Sequence, residues 1–180
     1  MRVSVAALLE APIPARLAKR PRDARGFPIP MTVLIKPDGT PDFRVTDVKR
    51  WLRVVTGRIC AMCGEPLGRH LAFIGGPRSH EYRVFTDAAM HTDCASYAMS
   101  VCPFLALANS RHSRKLPSAG GAALRATDEV VLDRPEKMFI GVTTSYQPLR
   151  LEDGTLVVQA GEWERVEWHE PHARGPADAA

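Results

Sequence analysis

Four residues of this chain have the types and spacing of a metal site. Cys60-Ala-Met-Cys63-Gly64 places two sulfurs on a turn short enough for both to face one point. The glycine after the second cysteine permits the positive φ that such a turn needs. His91-Thr-Asp-Cys94 supplies a second pair, whose side chains share one face if they lie on the first turn of a helix. Two close pairs of thiolate and imidazole donors are the usual way to build a tetrahedral structural zinc site. Cys60, Cys63, His91 and Cys94 are therefore the expected ligands of a Zn2+ ion. A CxxC alone is also the pattern of a redox dithiol. CxxC followed by HxxC at this distance is more specific for metal. Cys102 is the remaining thiol. If it replaced His91 the set would hold four thiolates, which an iron–sulfur cluster also uses. The seven residues between Cys94 and Cys102 carry it two turns along the helix, away from a metal at the first turn.

The elements that must position these ligands are readable around them. The stretch from Gly64 to Met90 reads as a hairpin. His70-Leu-Ala-Phe-Ile74 is an apolar strand, Gly75-Gly76-Pro77 a breaker, and Tyr82-Arg-Val-Phe85 an alternating return strand. Thr92 or Asp93 could cap the helix that continues through Val101. Upstream, Thr46-Asp47 caps a helix from Val48 to Arg58. Val48, Trp51, Leu52 and Val55 form its apolar face, Lys49, Arg50 and Arg53 its basic one, and Gly57 ends it.

Knuckle, hairpin and ligand-bearing helix in this order resemble the treble-clef zinc finger, over about 50 residues. The resemblance implies Cys60, Cys63, His91 and Cys94 as zinc ligands. The chain is also similar to a group of actinobacterial and phage proteins sharing a CxxCGEPLG…HxxCAxYA…CPF pattern, a likeness that brings no activity with it. HNH nucleases use a related scaffold. They need a catalytic histidine on the hairpin and a further metal-binding histidine on the helix. Between Tyr82 and Ala98 the only histidine is His91, which the zinc site already claims.

The remaining sequence frames this finger. Residues 1–30 read as an extended arm, interrupted by prolines and carrying Arg16, Lys19, Arg20, Arg22 and Arg25. Residues 31–116 make the zinc-binding domain, opened by a strand at Met31–Ile35, a Pro-Asp-Gly turn and a strand at Phe43–Val45. Pro117–Gly121 reads as a linker. Residues 122–168 are β-rich and expected to pack on the finger. They include Lys137–Tyr146, a hairpin across Asp153-Gly154, and an alternating strand with Trp163 and Trp168 on opposite faces. Residues 169–180 are expected to be disordered. The fold class is thus α+β.

Composition narrows the function classes. Apolar residues make up 45%, enough for a core, and no window reaches the roughly 18 apolar residues of a membrane span. No P-loop, GxGxxG or GxSxG occurs, and Gly75-Gly76-Pro77 lacks the helix and lysine of a phosphate cradle. With CxxC thiols and no export signal, a cytoplasmic location is expected. The formal charge of +4 is uneven, with +10 on residues 1–127 and −6 on residues 128–180. A basic front beside a zinc finger suggests nucleic acid, contacted mainly at phosphates, with Lys49, Arg50 and Arg53 as candidates. Basic residues that merely solvate a surface would give the same count. A protein–protein adaptor or inhibitor built on the finger is the alternative, and a metal- or thiol-dependent enzyme the third. No catalytic residue is assigned.

Overall fold

A computed structural model describes residues 2–108 and 135–174. The arm is laid across the body by its apolar side chains. Arg2–Val3 forms β1, and the Ser4 hydroxyl accepts from the Ala7 amide to start α1, Val5–Leu8. A second short helix, α2, spans Ala15–Ala18. Leu8, Leu17 and Phe27 are buried in the same apolar cluster as Trp51 and Phe73. The prolines keep both helices to a single turn, so the arm is neither one helix nor fully extended.

β2, Val33–Ile35, and β3, Pro41–Thr46, form a hairpin around Gly39, whose φ of 83° suits glycine. α3, Val48–Thr56, starts at Asp47, whose carboxylate accepts from the Arg50 amide at 3.0 Å, and ends at Gly57. Its buried face is Trp51, Val54 and Val55, whereas Leu52 is 40% exposed. The Trp51 indole N–H donates to the Thr86 carbonyl at 2.8 Å, which pins this rotation of the helix and turns the expected core residue Leu52 outward.

The middle of the chain departs from the expected hairpin. β4, Leu71–Gly75, is followed by a short helix, α4, Pro77–Tyr82, and by β5, Val84–Phe85. Gly75-Gly76-Pro77 thus does lead into a helix, though no lysine accompanies it. β4 and β5 belong to different sheets. After α5, Thr92–Val101, and α6, Pro103–Ala106, come β6, Met138–Thr143, and β7, Tyr146–Arg150. They are followed by β8, Leu156–Ala160, β9, Arg165–His169, and β10, Ala173–Arg174. One antiparallel sheet runs β4-β6-β9 and another β5-β8-β7. The fully buried strand β6 pairs with β4 along its whole length, from Leu71 to Gly75. A return strand as short as Val84–Phe85 offers far less, so the remote partner wins. The Asp153-Gly154 turn closes β7 on β8 as expected, with Gly154 at φ 86°.

Trp163 lies before β9 rather than in it, so strand alternation does not set the faces of the two tryptophans. Both rings touch Phe139, at 5.4 and 5.3 Å between centroids. β10 pairs in parallel with β1, so order continues through Arg174, where the sequence predicts a disordered tail from residue 169. The expected linker at Pro117–Gly121 and residues 175–180 lie outside the described residues. The architecture is α+β.

This packing sets the outcome of two substitutions. A Cβ on Gly141 would lie 2.6 Å from Trp163 Cζ3 and 2.7 Å from Phe139 Cε2. Gly141→Ala is expected to cost about 1–3 kcal/mol by overpacking, read from urea denaturation. The buried Asp42 carboxylate receives Arg44 at 2.7 and 2.8 Å, and that hydrogen bonding holds its pKa below the usual carboxylate value. A depressed pKa stabilises above the unfolded value and stops doing so as pH falls. The stability advantage of wild type over Asp42→Asn is therefore expected to be complete at neutral pH and to shrink below about pH 4.

Candidate metal centre

Backbone pairing builds the site from two distant pieces. An antiparallel bridge between Ile59 and Pro66 closes the knuckle, and Gly64 takes φ 82°. The Gly64 amide donates to the Cys60 carbonyl at 3.0 Å and the Cys60 amide to Glu65 at 2.9 Å. On the other side, Ala72 of β4 exchanges hydrogen bonds of 2.8 and 2.9 Å with Met90, and the Ala61 amide reaches Ala89 at 3.0 Å. These bonds seat residues 89–91 between β4 and the knuckle. His91 is the N-cap residue of α5 and Cys94 lies in its first turn. The expected caps, Thr92 and Asp93, are instead the first two helical residues, because His91 already holds the extended backbone of the cap.

The result is a buried group in which one donor atom from each of Cys60, Cys63, His91 and Cys94 lies within 4.8 Å of every other. Such a group could hold a metal ion, and no disulfide joins its cysteines. Its outer partners orient it. The His91 Nε2 atom lies 3.0 Å from the Pro66 carbonyl, and a carbonyl can only accept. Nε2 therefore carries the proton, and the Nδ1 lone pair faces the sulfurs, 3.4 Å from Cys63 Sγ. The Glu65 amide donates to Cys63 Sγ at 3.5 Å and the His91 amide to Cys60 Sγ at 3.4 Å.

The sulfurs cannot all ionise on their own. A hydrogen bond from the Cys94 thiol pulls Cys60 down to about 5. Burial pushes Cys63 up to about 11. Cys94 is raised further, first by donating to Cys60 and then by burial. A bound cation reverses this logic by favouring thiolate at each sulfur. Three sulfurs and one imidazole fit a thiophilic, four-coordinate ion in number and type. With four protein donors the set is closed, and it reserves no position for a reacting water.

The other sequence candidates are distributed as follows. Cys102 is outside the group. It sits between α5 and α6, its amide donates to Ala98, and burial pushes its thiol up, away from the activated range. Lys49 and Arg53 are exposed on α3. Arg50 is half-buried, with Nη1 3.3 Å from the Val33 carbonyl and Nε 3.9 Å from Asp47. Glu65 and Asp93, flanking the ligands, bind Lys19 at 3.1 Å and Arg16 at 3.2 Å. Those two clamps, and the Pro66 carbonyl, have no signature in residue spacing, because each joins segments far apart in the chain. Compared with known protein families, with curated proteins and with solved structures, the chain has no match in any of the three. Among the described residues no helix is long and apolar enough to cross a membrane.

If these four residues are the ligands, Cys102→Ala keeps the metal affinity of wild type. His91→Ala or Cys94→Ala loses at least about tenfold, measured by competition with a chromogenic chelator. Chelation of the wild type is expected to lower its melting temperature, because the metal is held by the folded state alone.

Proposed function

We propose that this chain is a non-enzymatic cytoplasmic protein whose treble-clef zinc finger presents a basic helix to nucleic acid. Three buried, unpaired thiols and an imidazole are the donor set that structural zinc uses. Buried free thiols also suit a reducing compartment. The knuckle, β4 and the ligand-bearing α5 follow one another in treble-clef order, with the return strand reduced to the Ala72–Met90 bridge.

One observation carries the nucleic-acid reading. Lys49, Leu52, Arg53 and Thr56 form the exposed stripe of α3, and neither Lys49 nor Arg53 has an acidic partner among the described residues. By contrast Arg16, Lys19, Arg25 and Arg44 are each held by a carboxylate. The two uncompensated cations are one helical turn apart, a spacing at which both can reach one phosphate backbone. Leu52 on the same stripe supports the runner-up, a protein-binding adaptor, since an exposed leucine between cations also suits a partner protein.

The test is fluorescence anisotropy with a labelled DNA duplex, titrated across salt concentrations. Affinity should fall steeply with salt. The double variant Lys49→Glu/Arg53→Glu should weaken binding at least about tenfold and reduce the salt slope by about one for each phosphate no longer neutralised. Binding that ignores both salt and the double variant would remove this reading and favour the adaptor.

A further inference from the structure

The basic turn of the arm ends on a cation with no carboxylate partner. α2 and the residues after it carry Arg16, Lys19 and Arg20. Arg16 and Lys19 are neutralised by Asp93 and Glu65, the acidic residues beside Cys94 and Cys63. Arg20 is half-buried. Its Nε donates to the Ile29 carbonyl at 2.9 Å and its Nη1 lies 3.7 Å from Met31 Sδ, both uncharged acceptors. Among the described residues no carboxylate lies within ion-pair distance of it. Met31 is itself tied to the knuckle, its amide donating to Ala61 at 2.8 Å. Nη1 also lies 4.0 Å from the position a Cβ on Gly64 would occupy, so the guanidinium lies against the loop that carries Cys63.

Charge counting supplies the missing partner. Three thiolates and a neutral imidazole around a divalent ion leave a net charge of −1. A buried net charge is costly unless a counter-charge stands near it. We propose that Arg20 is the counter-cation of the metal-loaded Cys60–Cys63–His91–Cys94 centre, which makes the arm part of the metal site. The proposal rests on the metal-centre reading and adds a partner that spacing does not reveal. Burial and the nearby Arg50 charge lower the Arg20 pKa, and the Cys63 sulfur offsets part of that loss. Beside a cation, the thiolates of the loaded site are less nucleophilic and hold the ion longer.

The test follows zinc transfer from the loaded protein to a chromogenic chelator, together with iodoacetamide labelling of the cysteines. Arg20→Gln should release zinc at least about tenfold faster than wild type and label faster, the scale of losing an outer partner of a metal ligand. Arg20→Lys, which keeps the charge but loses the forked geometry, should stay near wild type. In a Cys63→His background the loaded centre is neutral, and Arg20→Gln should then change release little. If Arg20→Gln does not fold around zinc, Cys63→His should restore folding. Equal acceleration by Gln and Lys, an undiminished effect in the Cys63→His background, or failure of that rescue would make Arg20 a mere tether and overturn the proposal. A wild type that takes up no zinc would overturn the centre and the proposal together.

Discussion

Three sulfurs and an imidazole are packed into the core of this protein, close enough together that one ion could join them. Cys60, Cys63 and Cys94 belong to the same buried cluster as Trp51, Phe73 and Phe139. As neutral thiols they pack like small apolar groups, and burial opposes their ionisation at Cys63 and Cys94. A cation turns the same four groups into a cross-link between the knuckle and α5. That link joins two segments that the whole stretch from Gly64 to Met90 separates in sequence, at the point where the arm, β4 and α5 converge.

The grouping of Cys60, Cys63, His91 and Cys94 is legible in the amino-acid sequence because the information within each pair is local. CxxC, HxxC and the glycine at positive φ each act within a few residues. The same holds for the Asp47 cap of α3 and the Asp-Gly turn of the C-terminal hairpin. What is not legible depends on partners far away. Sequence pattern pairs β4 with Val84–Phe85, its neighbour along the chain, but β4 pairs with β6, which lies beyond both α5 and α6. Local pattern cannot weigh a short nearby strand against a longer remote one. It also places Leu52 inside, because period alone does not set the rotation of a helix; the Trp51–Thr86 hydrogen bond does.

Charge is a coarser signal than either. A net of +10 on residues 1–127 suggests a broad polyanion-binding front. Ion pairs inside this segment leave that net unchanged but commit particular cations to the fold. Arg16 and Lys19 hold the arm to the ligand-bearing segments, Arg44 is locked on buried Asp42, and Arg50 serves β2. In the arm, Arg16 and Lys19 are engaged by the carboxylates that flank Cys94 and Cys63. Lys49 and Arg53 on α3 are exposed cations free of such duties among the described residues, as are Arg69 and Arg78. The fold thus separates two sets that composition merges, cations held by carboxylates and cations that face solvent.

The proposed function and the role of Arg20 both require a closed metal centre made by Cys60, Cys63, His91 and Cys94. Elemental analysis with an absorption spectrum, on protein purified without added metal, tests it most simply. A closed zinc centre gives one zinc per chain and a colourless protein. A brown protein containing iron and sulfide, or a folded protein with no metal at all, would contradict it.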